Sequence, residues 1–581
     1  MHQSLRLGIL SGLEHPKLAA AKAAVNGSLP LLRVMVQAAA MDPDEKRILP
    51  VFYYHLDPTK IPSEDEMDME ILATDTVDTI TRALLCVEGL YNLTTFPPGT
   101  HFELYQCVWP WAHFLDAHGS RILDAPAGDV IRARVFCIIV NFDKNSGTKA
   151  SAPEVGILAA QVWSDYFREP NPTSELALRR LTALFGVNDE YDLDHFIEGA
   201  GSIDALAILV VKLVHYVLNS DFIPEIKTMN LGGVLAFSKR SKDHAWLSAL
   251  RSHKFIAAII SALLFVERLI EVPTEKVSYV YNQAWLTFFR LSGLNSGYTG
   301  VVEAVNAGIL QLIASIIGRN LQWTETIIHG MITFTVQPAT VYYPVLAAIE
   351  HILPLAQQAI SAPALKSSAL YPDWQKFVRI ALDRLDIKKK FDSRERISRK
   401  TCDNPECGKI LRKTDFKRCS DCKQQLYCSK ECQNNDWRAS HRELCQYTRR
   451  PESPAHLTNR DKAFLRFLVA HDYEQHKQDI FLARIVGIRR HGANLVTFFD
   501  YSNGGLRIDV GPLKEEGDED HNDPDYLVRV RRSGGRMHPI VVQITTGQTS
   551  LQTGQTSLHQ WIISIRSSSS EVHDKLLQLS P

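Results

Sequence analysis

Seven of the ten cysteines in the chain fall between Cys402 and Cys445. Together with one histidine they read Cys402-x4-Cys407-x11-Cys419-x2-Cys422-x5-Cys428-x3-Cys432-x8-His441-x3-Cys445. Thiolate and neutral imidazole are donors that zinc accepts, and structural zinc sites fill all four tetrahedral positions with protein side chains. Four donor pairs therefore supply two four-coordinate zinc sites. The segment has few large apolar side chains, so burial alone cannot fold it and bound metal must supply the missing free energy. Disulfides are the other fate of clustered cysteines, but the paired spacing and the cell-interior setting inferred below argue against them.

The elements that must carry this cluster differ on its two sides. Over residues 1–382 the dominant period is helical. Val77, Ile80, Leu84, Val87 and Leu90 form one apolar stripe, as do Ile203, Leu206, Val210, Leu213 and Val217, and Phe255, Ile259, Leu263, Val266 and Ile270. Breakers such as Phe96-Pro97-Pro98-Gly99 separate the helices without the alternating runs of a large sheet. Gly-containing turns before Ile203 and Ile309, with a fainter echo before Leu29, each feed an apolar helix. They are similar to the turn that opens the last helix of an armadillo-type repeat, so the region is either a stack of helix pairs or an irregular helical domain. A basic linker follows over residues 383–400. From Arg384 to Lys400 eight basic and three acidic residues give a net charge of +5, which suits a solvated helix extension or linker, or a nuclear-import or nucleic-acid patch.

Beyond the cysteines, residues 456–581 read as a small α+β domain. Arg460 to Ile480 has the spacing of one amphipathic helix. Short β-rich runs are expected at Phe481 to Ile488, Leu495 to Phe499, Leu506 to Val510, Tyr526 to Val530 and Pro539 to Ile544, with glycine turns at Asn503-Gly504-Gly505 and Ser533-Gly534-Gly535. Lys514 to Asp525 reads as a mobile acidic loop. The tandem copies TGQTSLQ and TGQTSLH, from Thr546 to His559, read as a loop insertion.

The string YCSKECQNNDWRASHRELC from Tyr427 to Cys445, preceded by CSDC and an earlier cysteine pair, resembles a MYND-type zinc finger. Two loop lengths depart from that family's pattern: the first pair is spaced by four residues, and the step from Cys432 to His441 is one residue longer. The resemblance implies interleaved ligands, with Cys402, Cys407, Cys428 and Cys432 on one zinc and Cys419, Cys422, His441 and Cys445 on the other. It also implies a protein-interaction module that takes proline-containing peptides beside Gln433 and Trp437. The physical logic is that a fixed aromatic face offers proline a flat apolar surface, and an extended polyproline ligand costs little ordering entropy. For Trp437 the competing reading is a core aromatic of a small domain. The order of helical region, finger and α+β tail is similar to MYND proteins found in fungi, and that resemblance implies no catalytic activity.

The alternatives are a SET-like protein lysine methyltransferase and a nucleic-acid-binding regulator using the basic linker and finger. Phe499-Asp500-Tyr501-Ser502-Asn503 has the outline of the SET tyrosine motif, but no Asn in the chain is followed by His, so that family's methyl-donor motif is missing. Metalloprotease, P-loop and hydrolase-elbow motifs are also lacking. With 64 basic and 65 acidic residues, the 581-residue chain has no global charge to draw it to nucleic acid or membrane. A hydrophobic share of 45% and a charged share of 22% are those of a globular protein. The N-terminal residues show no secretory signal, and the longest apolar stretch, Phe255 to Val266, is shorter than the roughly 20 residues of a membrane span. The expectation is therefore an intracellular, soluble, non-enzymatic zinc scaffold, multidomain and mainly α, carrying two zinc ions.

Overall fold

The computed structural model describes residues 21–22, 24–44, 46–97, 100–122, 128–146, 153–185, 192–239, 243–269, 274–292, 298–319, 325–359, 368–393, 399–423, 425–447, 457–491, 495–512, 524–549 and 556–566. Two compact units divide the chain: residues 1–258 with 271–284, and residues 259–270 with 285–581.

Helices build the first unit. The Ile203–Asn219 helix buries Leu206, Val210, Leu213 and Val217 along the stripe read from the sequence. Ser202 caps it, accepting a hydrogen bond from the Ala205 amide at 3.1 Å. Gly201 at φ +86 turns the chain through 96° from the short Leu193–Ala200 helix into this long one. Gly27 takes the same left-handed conformation ahead of Leu29–Met41, and in the second unit Gly308 takes it ahead of Ile309–Arg319, so three similar turns feed three apolar helices. Trp163, Phe185, Phe196 and Phe237 pack together in the core, with Phe185 and Phe237 centroids 4.5 Å apart. Ile270, expected to end the third stripe, lies outside the described residues. Among the described residues no single helix is long and apolar enough to cross a membrane.

The second unit holds helices, two small hairpins and a sheet. Strand β1 (Arg399–Thr401) pairs antiparallel with β2 (Ile410–Arg412), and β3 (Lys417–Arg418) with β4 (Leu426–Tyr427). A four-stranded sheet has the order β6-β5-β7-β8, from β5 (Leu495–Asp500), β6 (Arg507–Pro512), β7 (Met537–Thr549) and β8 (Thr556–Arg566). Strands β5 and β7 run parallel, which requires a crossover, and the connection contains β6 and the Pro524–Arg532 helix.

Packing divides this chain elsewhere than composition does. The last helices of the 1–382 region share a unit with the finger and the 456–581 region, and buried polar contacts hold them together. The Arg384 guanidinium lies 3.5 Å from Asp472 Oδ2, and the same oxygen accepts from the Tyr501 hydroxyl at 2.8 Å. Tyr342 donates to the Thr545 carbonyl at 2.6 Å. The start of the basic run is a helix extension, as one of its readings had it, but not a wholly solvated one. The Tyr371–Asp392 helix continues through it, burying Arg384 and Lys388, with Lys388 Nζ 2.7 Å from Glu350 and 2.9 Å from Asp392. Residues 394–398 lie outside the described residues.

Three expectations for the tail are corrected. Phe481 to Ile488 and Tyr526 to Val530 are helical, within Lys477–His491 and Pro524–Arg532. Their β-branched residues suggested strands, but Ile480, Arg484 and Gly487 recur on the buried face at helical spacing. Arg460 to Ile480 is two helices, Asn459–Gln475 and Lys477–His491, parted at His476. The tandem copies, expected as a loop insertion, enter the sheet at both ends, residues 546–549 closing β7 and residues 556–559 opening β8, with residues 550–555 outside the described set. Of the expected acidic loop, residues 514–523 lie outside it, while Pro524 and Asp525 open the Pro524–Arg532 helix.

Candidate metal centre

Backbone hydrogen bonds set out the first ligand group. Cys402 directly follows β1 and its amide donates to the Lys409 carbonyl at 3.0 Å, while the Cys407 amide donates to Asn404 at 3.0 Å. Cys428 directly follows β4, and Cys432 sits in the first turn of the Lys430–Asp436 helix. Ser429 caps that helix by accepting from the Cys432 amide at 3.1 Å.

A tight turn and a helix carry the second group. Cys419 follows β3, and the Lys423 amide closes the turn onto the Cys419 carbonyl at 3.0 Å, with Lys423 itself at φ +56. His441 ends a π-helical stretch, Trp437–His441, and Cys445 follows in the Arg442–Tyr447 helix. A π turn holds one residue more than an α turn, which accommodates the longer step from Cys432 to His441 while keeping the imidazole aimed at the thiols.

The donor atoms of Cys402, Cys407, Cys428 and Cys432 all lie within 4.8 Å of one another, as do those of Cys419, Cys422, His441 and Cys445. Cys428 Sγ is 3.6 Å from Cys407 Sγ and 3.6 Å from Cys432 Sγ. In the second group, Cys419 and Cys445 Sγ are 3.8 Å apart and Cys422 Sγ is 3.7 Å from His441 Nε2. Four ligands at the usual zinc–sulfur and zinc–nitrogen lengths of a tetrahedral site stand about 3.6–3.8 Å from each other. These separations fit a zinc ion at each group. The finger's core is largely these thiols, with Phe416 and Tyr427 as its large buried side chains. A bound zinc supplies the cross-link that this apolar content does not.

Electrostatics agree with a dication. Burial and crowding by neighbouring thiols push Cys402 and Cys428 up, and push Cys445 up to about 12. Cys432 also feels burial, but hydrogen bonds from Ser429 and the adjacent thiols hold it below the ordinary thiol range. Clustered thiolates repel one another unless a cation sits among them. Burial lowers His441, keeping the imidazole neutral as a metal ligand must be.

Gln433 is half-buried, and Trp437, one turn later on the same helical face, is 36% exposed. The indole is therefore no core aromatic. It meets the His441 ring edge-on at 5.6 Å. Sequence reasoning missed Asp436, which is wholly buried and accepts hydrogen bonds from Tyr427, Arg529 and Arg532. An acidic residue within a helix carries no pattern that separates it from a solvated one.

No curated protein and no solved structure matches the chain. Residues 402–445, which contain both ligand groups from first donor to last, match the family model of the MYND finger.

Proposed function

We propose that this chain is a non-catalytic scaffold inside the cell whose finger takes proline-containing segments of partner proteins. Exposure of the Trp437 indole carries the reading, since burying such a ring is favourable and an isolated aromatic of this size at the surface suits a partner's apolar face. Its edge-on contact with His441 fixes the ring through a metal ligand, so little side-chain entropy is lost on binding. Gln433 beside it offers an amide to the peptide backbone.

A methyltransferase reading has little support around Tyr501. Its hydroxyl is engaged by Asp472, and its ring is covered by the Arg384 guanidinium at 4.8 Å, on a residue with no exposed surface. For nucleic acid, the basic run is partly spent. Arg384 and Lys388 are committed to internal ion pairs, which leaves Lys389 and Lys390 exposed.

The deciding experiment measures binding of proline-rich peptides to the zinc-loaded chain at low and moderate salt. Weak salt dependence, with loss on Trp437→Ala at unchanged zinc content, is expected. A steeply salt-dependent DNA or RNA affinity that Lys389→Gln/Lys390→Gln removes, with no peptide binding, would overturn the proposal. Saturable binding of S-adenosylmethionine would favour the methyltransferase.

A further inference from the structure

Asp436 lies four residues after Cys432, a ligand of the first group, and five before His441, a ligand of the second. Its carboxylate has no exposed surface and faces the Pro524–Arg532 helix of the C-terminal region. Arg532 Nη1 donates to Asp436 Oδ1 at 3.0 Å and to Ser440 Oγ at 2.7 Å, and Arg532 Nε donates to Glu406 Oε1 at 3.1 Å. Arg529 Nη1 reaches Asp436 Oδ2 at 3.4 Å, and its Nη2 donates to the Asp403 carbonyl. Arg536 Nη1, just beyond the helix, donates to the Glu406 carbonyl at 3.3 Å.

These acceptors share one property. Asp403 and Glu406 lie between the ligands Cys402 and Cys407, while Asp436 and Ser440 lie between Cys432 and His441. Arg529, Arg532 and Arg536 thus each grip a stretch of finger pinned at both ends by donors to metal. A finger whose core is mostly thiols has little besides metal to hold those stretches at their present spacing. Once they separate, Arg529 and Arg532 lose the acceptors that make their burial tolerable.

We propose that zinc loading of the finger and docking of the Pro524–Arg532 helix are one coupled event: the loaded finger clamps the C-terminal helix, and zinc loss releases it. Coupling of this kind is reciprocal, so the docked helix strengthens zinc retention by the same factor by which zinc strengthens docking. The inference rests on the metal clusters and not on peptide binding.

Hydrogen exchange of the full chain tests the first direction. Stripping zinc with a chelator should speed exchange over residues 524–536 by about tenfold or more while β5 keeps its protection. Chelator competition tests the second: an Arg529→Gln/Arg532→Gln chain should still take up two zinc ions at saturating metal, yet yield them about tenfold more readily, within the usual range of such coupling. Arg532→Lys keeps the charge but not the fork onto Asp436, Ser440 and Glu406, and should show a smaller loss in the same direction. Arg490→Gln, at an exposed position of the Lys477–His491 helix away from the finger contacts, should leave both readouts at the parent level. Zinc held as tightly by both arginine variants as by the parent, or a stripped protein with 524–536 still protected, would refute the coupling.

Discussion

Tyr427, the residue before the ligand Cys428, donates its hydroxyl to Asp436 Oδ2 at 2.8 Å, and neither side chain has any exposed surface. Burial and the adjacent carboxylate push the phenol far above its ordinary range, so it remains a donor at every working pH. Tyr427→Phe deletes that donor but leaves Asp436 its two arginines. The expected cost is about 1–2 kcal/mol, read as a lower denaturation midpoint with zinc content unchanged. Asp436→Ala takes the carboxylate from the buried Arg529 and the half-buried Arg532, leaving them only their contacts to Asp403, Ser440 and Glu406, and should cost more, about 3–5 kcal/mol.

Elemental analysis of the purified chain should find two zinc ions, one for each ligand group. Cys428→Ser leaves the first group with three thiols, and because a structural zinc site contributes on the order of 10–16 kcal/mol of coupled folding energy, that site should empty. One zinc should then remain, and the melting of the helical first unit should be unchanged. Full occupancy at two zinc ions in the variant would contradict the ligand assignment.

In the first unit, His55 is 6% exposed and its Nε2 donates to the Ala24 carbonyl at 2.8 Å. Burial is the main influence and lowers its pKa from 6.5, with Lys60 and Arg82 adding to it against the Ala24 hydrogen bond. A depressed folded pKa means the unfolded chain binds the proton more readily. The stabilisation is present above the unfolded value of 6.5 and is lost as pH falls through the folded value. Melting temperature should therefore drop as pH falls below 6.5 toward the lowered folded value, and His55→Gln, which keeps a donor for Ala24 but does not titrate, should flatten the drop. An identical pH profile in the variant would exclude His55 as its source.

Arg484 occupies a core-facing position of the Lys477–His491 helix and is 7% exposed, and its Nε and Nη1 have no hydrogen-bond partner among the described residues. A buried cation with unsatisfied donors opposes folding. Arg484→Met keeps the length of the side chain and removes that penalty, so it should raise the denaturation midpoint by an amount equivalent to ~1–3 kcal/mol. A lower midpoint would mean that Arg484 has an anionic partner in solution.

Local chemistry made much of this protein legible in its sequence. The spacing of seven cysteines and one histidine specified two zinc clusters, because tetrahedral coordination restricts donors to close pairs whatever surrounds them. The stripe from Leu206 to Val217 specified a helix, because a period near 3.6 buries one face. Tertiary structure decided what depended on partners distant in sequence. Phe481 to Ile488 and Tyr526 to Val530 have strand-like composition and became helices, since their environment outweighs a propensity spanning only about 1 kcal/mol. Lys388 reads as one more charge in a basic run, yet Glu350 and Asp392 draw it into an internal ion pair. Asp436 reads as a surface acid until Arg529 and Arg532, some ninety residues away, close over it. A single residue's type fixes which contacts it is able to make, but only the folded chain brings the complementary group within reach.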